Sequence, residues 1–267
     1  MTIAFLHAHP DDEAIFTGGT LARLAAAGYR TVVVVATSGE LGRNDGGTGP
    51  LASRRRAETH AACVELGVAA LHFLHFHDSG LGADADEPAA TTFAAAHTHD
   101  AAALLAEVLV AESAEELVSY DGGGIYGHPD HVQVHRVGRA AAALAGVTTL
   151  YEATVDREYL HFVETHLVEH AHRSLPQLGT LGSPTVEIDT TVDVRSVLDA
   201  KRRAIDAHVS QVPGDPAAWI PGAGFADVYG YEWYLRLGPP GTLDSLVRDD
   251  LVPSSEPGLP IGGRPLS

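Results

Sequence analysis

The run Arg30-Thr31-Val32-Val33-Val34-Val35-Ala36 decides the fold. It is β-branched and apolar almost without interruption, so neither face of the strand that it predicts meets water. Such a strand lies inside a parallel sheet covered by helices on both sides. Its neighbours fit the same architecture. On the N-terminal side, Thr2–Leu6 predicts a short buried strand and Asp11–Ala27 a helix. On the C-terminal side follow a helix over Ala52–Leu66, stopped by Gly67, and a strand over Ala70–Phe76. A polar loop over 77–98 is long for a compact domain. Beyond it come helix Asp100–Glu112, strand Glu116–Tyr120, helix Pro129–Ala145 with proline in its first turn, and strand Thr148–Tyr151. The alternation predicts an α/β fold, a three-layer Rossmann-like and mainly parallel sheet with helices on both faces. This core spans residues 1–152.

Residues 153–237 are expected to add a smaller α+β portion that completes the pocket within the same domain. It comprises helix Arg157–His172, strand Thr185–Val192, helix Arg195–Val209 and the aromatic-rich strand Gly230–Leu237. Residues 238–267, rich in Pro, Gly and Ser, are expected to form an irregular tail.

Composition narrows the function. With 17 basic against 35 acidic residues, the formal net charge is −18. Such a balance repels phosphate backbones and anionic lipids, so neither nucleic acid nor membrane is an expected partner. No apolar run approaches the roughly 18 residues of a membrane span, and Met1–His7 lacks a signal-peptide pattern. The expected location is the cytoplasm. The single cysteine, Cys63, rules out an intrachain disulfide and a Cys-rich zinc site. Mid-helix among apolar neighbours, it is expected to be buried and inert. The 16 histidines point instead to metal ligation or acid–base chemistry.

Parallel sheets bind ligands beyond the carboxyl ends of their strands. Directly after the first strand stands His7-Ala8-His9-Pro10-Asp11-Asp12-Glu13. In a strand-to-helix turn, residues three apart can face one point, which makes His9 and Asp12 an imidazole–carboxylate pair for a divalent metal. Asp11, between them, projects differently and stays free to accept a proton from a metal-bound water. Taken alone, two aspartates at a helix start are more often caps. The second segment changes that balance. Tyr120-Asp121-Gly122-Gly123-Gly124-Ile125-Tyr126-Gly127-His128-Pro129-Asp130-His131 follows the fourth strand and repeats His-Pro-Asp. Two such turns converging at one sheet end supply His9, Asp12 and either His128 or His131, the three-ligand pattern of a catalytic zinc site.

These motifs resemble the LmbE-like (PIG-L) family of zinc-dependent N-acetylglucosamine deacetylases. Ala8-His9-Pro10-Asp11-Asp12-Glu13 and His128-Pro129-Asp130-His131 both stand unbroken. The mycothiol-pathway branch, a deacetylase and an S-conjugate amidase, is the most similar. The residues that carry this are Tyr120-Asp121…Tyr126-Gly127-His128-Pro129-Asp130-His131 and Asp78-Ser79-Gly80, while the Arg55-x-x-Glu58 spacing and Lys201…Ala204…Ala207-His208…Gln211 resemble the pattern of the family. The resemblance implies His9, Asp12 and His131 as zinc ligands, with iron(II) also admitted by such donors. It implies Asp11 as general base and a protonated His128 as electrophile or acid. Asp130 would orient an imidazole, foremost that of His128, and Tyr126 would donate to the oxyanion. Arg55 and Asp78 would contact sugar hydroxyls, and His208, part of the same pattern, is a further expected substrate contact.

Other features carry less. His72, His75 and His77 alternate along the third strand, where surface or satisfied core histidines are commoner than a second metal site. His161, His166, His170 and His172 fall on an expected helix with a solvated face. Glu40, after Ser38 and Gly39 at the second strand's end, is a further substrate contact, or Gly39 merely shapes the turn. Gly122–Gly124 is neither a Walker loop nor a dinucleotide fingerprint. Lys201–Arg203 reads as a solvated helix face.

The expected activity is therefore metal-dependent hydrolysis of an N-acyl, foremost N-acetyl, amide on an amino sugar. An N-acetylglucosaminyl inositol glycoside or a mycothiol conjugate is the leading substrate. Alternatives are deacetylation of another secondary-metabolite glycoside and a non-catalytic sugar-binding module on the same fold. The partner expected is a small amino sugar, and a homo-oligomer is open.

Overall fold

Two apolar runs make the centre of the sheet. In the computed structural model, which describes residues 1–44, 47–80, 91–162, 181–211 and 224–248, they are β1 (Thr2–His7) and β2 (Arg30–Thr37). Every residue of β1, and of β2 from Thr31 onward, is buried. Between them lie α1 (Asp12–Phe16) and α2 (Gly18–Ala26). After β2 come α3 (Leu51–Leu66), β3 (Ala70–Phe76), α4 (Thr98–Ala111) and β4 (Glu116–Tyr120). The short α5 (Gly124–Gly127), α6 (Pro129–Ala145), β5 (Thr149–Thr154) and α7 (Arg157–Phe162) follow. The chain continues through β6 (Thr190–Asp193), α8 (Leu198–Asp206), α9 (Phe225–Tyr229), β7 (Tyr231–Leu237) and α10 (Thr242–Arg248).

The seven strands of the described residues join one sheet in the order β3-β2-β1-β4-β5-β7-β6. The first five run parallel; β7 lies antiparallel to β5, and β6 to β7. Packing of α4 on α6, and of α2 and α3 on α8, builds the helical layers. Chain order reverses between β1 and β4, the switch point where open α/β sheets bind ligands. The turns after β1 and β4 therefore open side by side, and these are the two turns that carry His-Pro-Asp.

Several boundaries differ from expectation. The single helix expected over 11–27 is broken at Thr17, because α2 begins by giving two free amides, Gly19 N and Thr20 N, to Glu232 on β7 (2.8 and 2.7 Å). That partner lies more than 200 residues away, so no local pattern announces it. Thr185–Glu187 is a 3-10 turn, and the strand expected from Thr185 begins only at Thr190. The helix expected from Arg195 begins as a 3-10 turn and becomes α-helical at Leu198. A helix, α10, stands where the irregular tail was expected to begin. Gly67 does end α3, in the left-handed region at φ 71°. Cys63 is buried, and burial pushes its thiol far up. His166, His170 and His172 lie outside the described residues.

Lys201 also departs from expectation. It is buried, not solvated, with Nζ 2.6 Å from Glu232 Oε1. Removing one partner of a buried pair strands the other charge, at a cost of about 3–5 kcal/mol. Lys201→Met is expected to lose roughly that much stability in urea unfolding. A midpoint unchanged from the native chain would show that Glu232 is satisfied by the Gly19 and Thr20 amides and the Tyr234 hydroxyl, 3.2 Å away, alone.

Candidate metal centre and active site

The turn after β1 is held by its own side chains. Asp12 Oδ2 accepts the His9 amide at 2.8 Å, and Glu13 Oε2 accepts the Asp11 amide at 3.0 Å. Asp11 caps α1 with φ 105°, a left-handed conformation that Asp tolerates better than most residues. Strain of this kind concentrates at functional sites. The turn after β4 is built around Asp121. Its Oδ1 accepts the amides of Gly123 and Ile125 (both 2.9 Å), and its Oδ2 accepts the Thr154 hydroxyl (2.6 Å). Ile125 has φ 63° and ψ −60°. A Cβ on Gly124 would lie 2.6 Å from the Val132 nitrogen, so only glycine lets α5 fold back on α6. Pro129 opens α6, and His128 caps it by accepting the Asp130 amide on Nδ1 (3.1 Å).

These turns bring His9, Asp12 and His131 together. Asp12 Oδ2 stands 3.4 Å from His131 Nε2 and 3.6 Å from His9 Nδ1. Donors about 2.0–2.1 Å from a tetrahedral zinc are roughly 3.3 Å apart, so the trio fits such an ion. All three residues are buried, and His131 Nδ1 has no hydrogen-bond partner among the described residues. A second group of donors comprises His9, Asp78, His128 and Asp130. It fits an ion less well, because the Asp130 carboxylate is already engaged. Its Oδ2 accepts the Ser79 amide (2.9 Å) and its Oδ1 the Ser79 hydroxyl (2.5 Å), while Oδ2 lies 3.1 Å from His9 Nε2. Asp130 thus grips the far nitrogen of His9 and leaves Nδ1 toward Asp12, the usual arrangement of a carboxylate behind a metal-binding imidazole.

The Asp130 carboxylate was expected to orient an active-site imidazole, foremost that of His128. It holds His9 instead, and only the Asp130 backbone amide reaches His128. Outer carboxylates of this kind are worth about 10–100-fold in metal affinity. Asp130→Asn is expected to weaken zinc binding by about that factor in a chelator competition. Native affinity in the variant would mean that ring placement does not depend on that charge.

The field at the site favours a cation. Burial opposes protonation of His9, yet hydrogen bonds to Asp12, Asp130 and Asp78 raise its pKa well above the usual imidazole range. Burial raises Asp78, but its contact with His9 outweighs that and holds the carboxyl low. Asp11 is in neither donor group. Its side chain is 19% exposed, and Oδ2 lies 3.2 Å from Arg55 Nη2. Burial pushes it up to about 7, with Arg55 pulling down and Asp12 pushing up. A base poised near neutrality suits proton transfer at neutral pH.

His128 was expected to be protonated. Burial, then the neighbouring His9 and His131, lower it to about 4. With Nδ1 accepting the Asp130 amide, the neutral ring carries its proton on Nε2 and still offers a donor. Tyr126 is 40% exposed, with its hydroxyl 3.2 Å from His131 Nε2. Burial, then Asp12, pushes that hydroxyl far up, so it stays a donor.

The remaining expected contacts lie around this centre. Arg55 is buried below Asp11, donating to Gly39 O (2.7 Å), Pro10 O and Asp11. Asp78 Oδ1 is 3.5 Å from His9 Nε2 and accepts the Gly80 amide. Glu40 Oε1 accepts the Asp78 amide at 3.1 Å and meets His77 Nδ1 at 2.8 Å. His208, expected to contact substrate, is instead fully buried, with Nε2 2.6 Å from Glu13 Oε1. His72 pairs with Glu112, so His72 and His77 each have a separate carboxylate partner.

Sequence reasoning gave no role to Ser79, which anchors Asp130, or to the buried pair His7 and Tyr120. His7 Nδ1 lies 2.9 Å from the Tyr120 hydroxyl, and His7 Nε2 lies 3.2 Å from the Thr17 hydroxyl. Burial lowers His7 to about 4, so it supports the floor of the site as a neutral ring. Both residues stand in or beside the quoted motifs, but only their pairing across the sheet reveals the role.

Comparison with known proteins agrees with this geometry. The profile of the PIG-L family, described as GlcNAc-PI de-N-acetylase, matches residues 4–142. The chain is 37% identical over 243 residues to the 1D-myo-inositol 2-acetamido-2-deoxy-alpha-D-glucopyranoside deacetylase of Actinosynnema mirum, covering 84% of each. It is 32% identical to a protein of the same name from Salinispora arenicola, over 98% of this chain and 93% of that one. In structure it is similar to N,N'-diacetylchitobiose deacetylase from Pyrococcus horikoshii, with TM-score 0.61 and 19% identity over 89% of this chain and 84% of that one. A teicoplanin deacetylase aligns with TM-score 0.58 and 16% identity over 91% of this chain and 100% of that one. Among the described residues no helix is long and apolar enough to cross a membrane.

Proposed function

The chain belongs to the PIG-L family of GlcNAc-PI de-N-acetylases, and we propose that it removes the N-acetyl group from an N-acetylglucosaminyl inositol glycoside. The relatives similar over most of the chain carry the name of that deacetylase, which supports the inositol glycoside of mycothiol synthesis over other amino sugars. The observation that carries the reading is an uncoordinated carboxylate, Asp11, held beside a two-imidazole, one-carboxylate trio. A sugar-binding module has no need of a base at that position.

His9, Asp12 and His131 would hold the ion. Two nitrogens and one oxygen suit zinc and also admit iron(II). When bound, zinc lowers the pKa of water toward about 7 and polarises a carbonyl.

The chain supplies the rest. Asp11, fixed by Arg55, accepts the proton of the attacking water. His128 Nε2–H and the Tyr126 hydroxyl face the charge that develops on the amide oxygen, the task of an oxyanion hole. As the C–N bond breaks, the departing amine takes the proton that Asp11 holds. Arg55 acts through Asp11 in this scheme. Asp78 and Glu40, in the loops after β3 and β2, flank the side from which sugar hydroxyls approach.

Primary-amine release from a panel tests the reading: the inositol glycoside, a mycothiol S-conjugate, diacetylchitobiose and free N-acetylglucosamine, each with and without chelator. Chelator-sensitive release, fastest from the inositol glycoside, is the expected result. A faster S-conjugate would move the chain to amidase chemistry. No release by zinc-loaded protein from any of the four would count against all of these substrates.

A further inference from the structure

Glu13 and His208 form a buried pair for which the reaction scheme has no direct use. Both side chains are fully shielded from solvent, and the two residues lie 195 positions apart. Glu13 Oε1 takes His208 Nε2 at 2.6 Å, and Glu13 Oε2 takes the Asp11 amide at 3.0 Å. The carboxylate is therefore a bridge with one end on the late segment after α8 and the other on the backbone of Asp11. Among the described residues His208 Nδ1 has no hydrogen-bond partner. Burying a carboxylate–imidazole pair with an unsatisfied nitrogen costs stability, and an apolar pair of similar volume is often as stable or more so. The arrangement is thus poorly explained as packing.

Asp11 has the backbone that needs such a hold. At φ 105° it sits where a side chain is strained. Its carboxylate is tied to Arg55, its carbonyl to the first turn of α1, and its amide to Glu13 alone among the contacts described. We infer that Glu13 and His208 are positioning residues. They lock the Asp11 amide, and through it keep the Asp11 carboxylate turned away from the metal ligands and toward the substrate. His208 thus contributes to the rate although it touches no substrate. The inference rests on Asp11 being the base.

The test uses zinc-loaded full chains carrying His208→Leu, His208→Asn or His208→Gln, with Asp11→Asn alongside. The side-chain amide of Gln reaches about as far as Nε2 of His, whereas Asn is too short. A displaced base of about 1 Å costs on the order of 100-fold. The Leu and Asn variants are expected to lose about that much kcat, with KM and zinc content unchanged. Gln is expected to restore most of it.

A second readout needs no substrate. The Asp11 amide is expected to exchange with solvent slowly in the native and Gln chains and faster in the Leu and Asn chains. Unchanged kcat and exchange in folded Leu or Asn chains would overturn the inference. So would parallel loss of zinc, KM and kcat in all three His208 variants, or loss of folding in both Leu and Asn, because the pair would then hold the fold rather than the base. If Asp11→Asn keeps native kcat, the assignment of the base fails, whatever the His208 variants do.

Discussion

Replacing Asp11 by Asn is expected to lower kcat by about 10²- to 10⁴-fold, the usual worth of a positioned general base, while zinc content stays native. The substitution is close to isosteric. Asn is among the few residues that tolerate a left-handed backbone, so the φ of 105° at the cap of α1 can persist. Its side-chain oxygen can still accept from Arg55 Nη2, which lies 3.2 Å from Asp11 Oδ2. What disappears is the capacity to take a proton.

The pH profile gives the same test a second edge. Burial pushes Asp11 up to about 7, against Arg55. A cation in the adjoining trio draws it lower. The base is active when ionised, so activity falls as pH drops through that pKa, with the acid limb at or below about 7. Asp11→Asn is expected to flatten that limb. An Asn variant with native kcat and an unchanged acid limb would remove Asp11 from the chemistry.

Loss of a ligand is expected to be more severe. His131→Ala leaves His9 and Asp12 as a two-donor remnant, below the three protein ligands of a catalytic zinc site. Zinc affinity is expected to fall by more than about 100-fold, the upper end for merely outer-shell losses, and amine release to fall to background. Stability supplies an independent measurement. A ligand at 100 times its Kd stabilises the native state by about 2.7 kcal/mol, so zinc is expected to raise the unfolding midpoint of the native chain. The same zinc is expected to leave His131→Ala unmoved, although its apo form, without a buried imidazole, also starts lower. If zinc still raised the variant's midpoint fully, the ion would sit elsewhere, and the group of His9, Asp78, His128 and Asp130 would be the place to look.

How much of this was legible in the sequence follows from the range of the forces involved. The β-branched run at 31–35 and the continuous apolar segment before His7 dictate buried parallel strands by themselves. Hydrophobic burial is non-directional and is written into composition along the chain. Pro129 and Gly67 marked the start of α6 and the end of α3, because their backbone limits are intrinsic. The two His-Pro-Asp turns were likewise readable, since their spacing places donors at the carboxyl ends of strands that a parallel sheet brings together.

Only the tertiary structure decided which partner each polar group took. Glu232 reaches across more than 200 residues to cap α2, which splits a helix that the sequence pattern makes continuous. Lys201, on a segment that reads as solvated, is buried by that same carboxylate. Asp130 turned to His9 rather than His128 because Ser79, in the loop after β3, draws both of its oxygens that way. His208 went to Glu13 rather than to the pocket. Hydrogen bonds and ion pairs are directional and pair one atom with one atom, so their outcome depends on which surfaces the fold brings within about 3 Å. The residue types at the site were set by the sequence; the distribution of their bonds was set by the packing of the sheet and its helices.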